Sequence, residues 1–549
     1  MKITLGNWNL GGVSDSLFSG GGDSHAAMVG LDVHTKPGLL LANQKMAKDS
    51  GSTVTELCLY SLACSNGDTY WFSYTTGKIW KRTSAGTWSL VHTSAPTTGG
   101  FGCLGAYEYE GWIYWATENH LHRIQVALLS DWTTNVVENW ATFTNGNATH
   151  HPMHEVNGVL YIGDGNLVAQ VSQDLTDNPA GTISSAGVDV TGTGTNFDPL
   201  ITVGDKIRFT DANGQTQVRT VVTRSSDTAL TTDTAFSPVA VDDLFKFSHH
   251  NFSGEALDLP EEYAVTCLTN IANDLLIGTK VSNVATARVF RWDTWSVSWV
   301  DDTSVVESGV NAFLMLNESV LVSCGTQGNI YVYNGQLQPH KKVPGAYSPT
   351  ATSKVNPQSS INRGTSLLIG FSNLSGNPSK HAVWQYGRYS FAYPLVLTTD
   401  YPISTGSLSS VEIGAMLMIG DNVFVAWKDS SGESPTYGVD KIDYSTKFNG
   451  AYLETMVLAY DREEIKNWAS IMLNLASALP ESCNASVQYK LQSDTAWSDA
   501  AELVEKIDAV QNSFVMDEGV QGNTLQLKLT LTTSSNATPE VHSLVITEA

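Results

Sequence analysis

Tryptophan and histidine stand out among the side chains in this 549-residue sequence that could do chemistry. Trp71, Trp80, Trp112 and Trp115 stand in short apolar-aromatic runs, as do Trp88, Trp292, Trp295 and Trp299. Aromatic rings stack on the faces of sugars, so Trp71, Trp80, Trp112 and Trp115 are the candidate glycan or partner contacts. The competing reading is that these rings fill the gaps between packed sheets.

The histidines offer less. His150, His151 and His154 form HHPMH ahead of Glu155, but Pro152 breaks any helix there. A helical zinc motif starting at His154 would need its second histidine at position 158, which is Gly158. The segment reads as a loop. His120 and His122 alternate along a strand and share one polar face, and His249-His250 reads as a linker. The acidic pairs Asp242-Asp243 and Asp301-Asp302, and Asp211 before Asn213-Gly214, suit β-turns better than a calcium loop, since no DxDxDG pattern is present. There is no GxSxG elbow, P-loop or dinucleotide-binding glycine pattern. The glycine run at Ser19–Asp23 has no apolar strand before it and reads as part of a flexible arm. A sialidase needs clustered arginines, and the ten here are dispersed. The expectation is a non-enzymatic chain with no catalytic residue, cofactor or metal.

The elements that carry these residues are strands. Helical periodicity is nearly absent, and apolar-aromatic runs alternate with Gly, Asn, Asp and Ser clusters. Comparable runs begin at Tyr70, Ile113, Leu160, Leu276, Leu321, Leu368 and Phe424, at intervals of 43, 47, 116, 45, 47 and 56 residues. Five intervals lie near the 40–50 residues of a four-stranded propeller blade. The sixth is one period plus about 70 residues, and the text from Gly181 to Ser248 changes character over that length, with its own hairpin turn at Asn213-Gly214. Removing that block restores the period. From about Ala451 a third composition appears, with clean two-residue alternation in SVQYKL and QLKLTL. The predicted fold is all-β: a β-propeller of about seven blades with an inserted small β-module and a C-terminal β-sandwich. The expected divisions are an N-terminal arm over 1–56, the propeller over 57–180 and 249–450, the module over 181–248 and the sandwich over 451–549.

Charge narrows the function. Lys and Arg number 30 against 54 Asp and Glu, a net charge of −24. Nucleic-acid binding needs clustered bases, and no basic block exists, so DNA is at most a transient passer-by. No apolar run reaches the ~18 residues of a membrane span, and the start has no signal-peptide pattern, so synthesis in a cytoplasm is expected. The six cysteines are scattered without a CxxC pair and read as reduced core residues.

The strings TGTGTNF, VGDKIRF and SSDTAL in the 181–248 block resemble a small β-module of tailed-bacteriophage virion proteins. GLDVHTKPGLLLANQKM resembles the opening of phage tail-associated propeller proteins, and the run from YLETMVL through VQYKLQSDTAW to LQLKLTL and TPEVHSLVI is similar to the terminal sandwich of phage tail proteins. The resemblance implies a structural component of a bacteriophage tail, in the distal nozzle or tip of the virion. Its partners would be copies of itself in a ring and other tail proteins (adaptor, tube or fibre). The alternative is a receptor- or glycan-binding propeller at the tail end, with host surface glycan as partner. A third reading, a glycan hydrolase, requires paired carboxylates at the propeller axis.

Overall fold

A computed structural model describes residues 2–14, 23–95, 100–145, 150–176, 179–211, 213–281, 286–325, 328–341, 355–372, 382–405, 410–459, 465–491, 494–502, 510–516 and 520–548. Seven four-stranded antiparallel blades stand around one axis; five are separate sheets, blade 3 is part of a nine-stranded sheet and blade 6 of an eleven-stranded one. Blade 1 spans 58–93, blade 2 105–142, blade 3 153–258, blade 4 263–304, blade 5 310–341 and blade 6 360–402; blade 7 takes three strands from 411–447. The innermost strands follow one another around the axis, and that of blade 7, Val411–Ile419, returns to that of blade 1, Cys58–Ala63. The seven repeated apolar runs are the second strands of the blades, from Thr69–Ser73 to Asn422–Asp429. In blades 1 and 2 every residue of that strand is buried. Both its faces are covered by neighbouring sheets, which is why these runs read as continuously apolar rather than alternating.

The N-terminal residues are strands of three other sheets. Lys2–Leu5 pairs with Val541–Glu548, and Ser24–Val29 pairs with Ala451–Thr455, so both join the C-terminal sandwich. Gln44–Lys48 then supplies the outer strand of blade 7, pairing with Thr436–Lys447. The ring is therefore closed by hydrogen bonds between segments nearly 400 residues apart in sequence. Between these strands, His34 Nε2 lies 3.1 Å from Thr398 Oγ1, and Asn43 donates to the buried Asp400 carboxyl at 3.1 Å. Burial pushes the Asp400 carboxyl well above the usual carboxylate range and His34 down to about 4. A neutral acid and a neutral imidazole thus pin this stretch to blade 6 without a buried charge. Of the glycine-rich run, Ser19–Gly22 lie outside the described residues.

The inserted module opens between the third and fourth strands of blade 3, Leu167–Thr176 and Phe245–Asp258. The fourth strand is long enough to serve two sheets: residues 247–258 complete the blade and 245–248 pair with Lys206–Thr210 of the module. The module has its own apolar core, which includes Ile183, Phe197, Ile207, Phe209, Phe236 and Phe247. Its hairpin turns at Asn213-Gly214, where Asp211 accepts the backbone N–H groups of Asn213 and Gln215, both at 2.9 Å. In the sandwich, Leu525, Leu527, Leu529 and Leu531 of strand Thr524–Thr532 are all fully buried, as the alternation in QLKLTL requires.

Candidate functional site

Each of the four tryptophans singled out in the sequence is buried. Trp71 and Trp80 lie in the seam between blades 7 and 1, packed with Phe424, Ala426 and Val439. Trp115 sits between blades 1 and 2, stacked on His122 and donating its indole N–H to Ser94 Oγ at 3.0 Å. Trp112 is the platform on which the inserted module rests. Gly204 of the module has φ +98°, and a side chain there would run into the Trp112 ring. The other face of that ring system carries the Arg123 guanidinium, held between Trp112 at 4.1 Å and Trp140 at 4.3 Å. No sugar can stack on rings so enclosed, and their burial corrects the exposure that a glycan contact needs.

The histidines also take places that strand alternation hides. His122 is not on a solvated face: the Glu138 carboxylate of the next strand bridges it to His92 of blade 1, the His92 contact being 2.6 Å. Burial alone would push Glu138 up, but hydrogen bonds from His122 and His92 hold its carboxyl well below the usual range. Ser94 lies near this cluster but is no activated nucleophile. Its hydroxyl and the carboxylate approach the same His92 nitrogen, whereas a triad needs them on opposite nitrogens. His250 is not in a linker but within a blade strand, bonded through Nδ1 to Tyr114 and pushed by burial down to about 3. His151 lies between the carbonyls of Gly163 and Glu118, while His154 turns to Asn270. Among the described residues no group of three or more His, Cys, Asp or Glu converges on a metal position. The six cysteines are free thiols, five of them buried.

The propeller axis holds a cavity of about 250 Å³ bounded by inner-strand side chains such as Tyr60, Tyr107, Leu268 and Phe313. Among the described residues its lining contains no carboxylate. Gln358 spans part of it, accepting from Ser61 N–H at 2.6 Å and donating to Ser61 O at 2.8 Å.

The chain also displays large apolar side chains. In an antiparallel blade the first and third turns lie at the same end, so the inserted module, the third turn of blade 4 and the third turn of blade 6 share one face of the ring. On blade 4 the turn after Arg288–Trp292 presents Trp295, 85 % exposed, and Val297, 99 % exposed. This turn is rigidly braced. Asp293 accepts the backbone N–H groups of Trp295 at 3.0 Å and Ser296 at 2.8 Å, and the Ser296 hydroxyl at 2.7 Å. The Trp292 indole donates to Ser296 O at 2.7 Å. The bracing holds Thr294 at φ +66°, a strained setting for a β-branched residue, and Asn157 of blade 3 reaches its hydroxyl. Blade 6 shows Tyr389 and Phe391, with Arg388 lying 4.1 Å over the Phe391 ring. Of the tryptophans named in the sequence, Trp295 is the one on display. The signal that marks it is Asp293 followed three residues later by Ser296, the spacing of an Asx-type turn.

No family model matches the chain, and no curated protein matches it by sequence. Solved structures do. A streptogramin B lyase is similar over 73 % of this chain and 98 % of its own, at 9 % identity and a TM-score of 0.41. The Dos1 propeller matches 73 % of this chain and 94 % of its own, at 12 % identity and a TM-score of 0.35. An endosialidase of phage phi92 aligns with 92 % of this chain over 76 % of its own, at 10 % identity and a TM-score of 0.33. Likenesses this distant carry nothing about activity. Among the described residues no helix is long and apolar enough to cross a membrane.

Proposed function

We propose that this chain is a structural component of a bacteriophage tail, in the distal nozzle or tip. It assembles as a closed homo-oligomeric ring through non-catalytic contacts with its own copies and with neighbouring tail proteins. The observation that carries the proposal is the braced turn Trp292–Ser296, which fixes the backbone carrying the exposed Trp295 and leading into the exposed Val297. Holding that backbone in advance lowers the entropic cost of docking, and tryptophan is among the residues enriched at the anchoring points of protein interfaces. An apolar patch left open on a monomer marks an interaction surface. The shared His92 nitrogen in the histidine–carboxylate cluster supports the non-catalytic reading, as does an axial cavity with no paired acids among its described lining residues. The net charge of −24 would repel DNA moving past an assembled ring rather than grip it. Negative-stain imaging of the purified chain, with mass by light scattering, tests this. Rings of one copy number are expected; release of reducing ends from host-surface glycan by the chain would overturn the non-enzymatic reading.

A further inference from the structure

The inserted module carries an open cleft of about 760 Å³ on the solvent side of its sheet. Its strands alternate: Ile207, Phe209, Phe245 and Phe247 enter the module core, so Arg208, Thr210, Thr216 and Lys246 stand on the opposite face. Arg208 and Lys246 are directly paired across two strands, and Thr210 and Thr216 are paired beside them with their hydroxyls 3.1 Å apart. Arg208 is half-buried, and its Nε is shut away from water without a partner. Two acids stand at the rim, where they hold their own loop. Asp243 Oδ2 accepts Val241 N–H at 2.9 Å and Asp242 Oδ1 faces the Ser184 hydroxyl at 3.4 Å. Leu244 forms the lip, 71 % exposed.

We propose that this cleft binds an acidic saccharide, a sugar ring carrying a carboxylate within an oligosaccharide chain. A guanidinium left short of partners is set to receive an anion, and its planar fork matches a carboxylate. The rim carboxylates and the two threonines supply acceptors and donors for sugar hydroxyls, and Leu244 offers an apolar surface to the C–H face of a ring. A nucleic-acid strand fits worse, because among the described residues no aromatic ring is exposed in the cleft for bases to stack on. The site lies within one chain, so it does not depend on ring assembly, and a monomer would bind equally well.

Calorimetric titration of the full-length chain at low salt would use hexamers of galacturonate, mannuronate and N-acetylneuraminate, with maltohexaose and a thymidine hexanucleotide as controls. At least one acidic hexamer should bind, and neither control should. Arg208→Gln should weaken that binding about tenfold or more. Leu244→Asp, a change at an exposed position, should weaken it too. Arg224→Gln should leave it unchanged, since Arg224 is paired with Asp198 away from the cleft. Binding of none of the acidic hexamers overturns the proposal, as does equal binding of a control or an unaltered affinity in Arg208→Gln.

Discussion

The chain interrupts its own repeat at two places, the seam between blades 7 and 1 and the excursion from blade 3, and the two interruptions differ in kind. At the seam the ring is joined by residues far apart in sequence. Gln44–Lys48 completes blade 7, Asp49 goes on to bind Arg82 at 2.7 Å and the Trp88 indole at 2.9 Å, and Trp71 and Trp80 fill the space between the two blades. At the excursion the chain leaves and re-enters through two strands already hydrogen-bonded to each other, so nothing in the blade waits on the module. The module in turn has its own core. A propeller can therefore accept a whole domain between its third and fourth strands, while the same ring relies on a five-residue strand where it closes.

The sharpest way to break this comparison is to remove the closing strand. Deleting residues 1–50 should abolish the single cooperative unfolding transition, since it strips blade 7 of its outer strand and both sandwich sheets of one. A deletant that still melts in one transition near the parent temperature would refute the seam's role. Trp71→Ala should cost about 3–5 kcal/mol in chemical denaturation, the range for truncating a large buried aromatic. A loss below about 1 kcal/mol would mean the seam relaxes around the cavity.

The third test uses pH. Burial holds His34 at about 4 in the fold, whereas an unfolded histidine titrates near its ordinary 6.5. Between those values the unfolded chain takes up a proton that the fold refuses, so this residue's contribution to stability is full above pH 6.5 and is lost as pH falls towards 4. Asp400 opposes it, because a carboxyl raised by burial favours the fold at low pH. The difference between parent and His34→Gln isolates the histidine. The parent should lose roughly 2 kcal/mol more than the variant between pH 7 and 5. Equal losses would show that His34 is charged or solvated. The smallest effect belongs to the excursion: replacing residues 177–246 with Asn-Gly, which closes the paired strands as a hairpin, should leave the propeller's melting temperature within a few degrees. Loss of the cooperative melt would place the module in the propeller's core.

Much of this fold was legible in the sequence because blades repeat. The second strand of each blade is covered on both faces, so its apolar run recurs at blade spacing, and the one long interval gave away the inserted module. The closing strand was not legible. QKMAK has one buried apolar residue, Met46, and its role is set by a pairing with distant Thr436–Lys447 that no local pattern reports. The tryptophans show the same limit. Trp71 and Trp295 both follow turn residues in aromatic-rich text, yet one is sealed between blades and the other is displayed. Only the Asp293–Ser296 spacing hinted at the second. Alternation put His122 on a polar face; the neighbouring blade, which brings His92 and turns that face into an interior, lies outside any window a strand pattern covers. Arg208 was one of ten dispersed arginines until the returning strand Phe245–Asp258 set it against Lys246.

The central claim is that the chain assembles through the apolar surface it displays. Sedimentation velocity on the parent and on the double variant Trp295→Ser, Val297→Ser tests it most directly, because both positions are exposed and the monomer fold should survive. A parent species at a defined multiple of 59.2 kDa is expected, with the variant at or near that single-chain mass. A parent that sediments as a 59.2 kDa monomer at tens of micromolar, or a variant that assembles as the parent does, would contradict that claim.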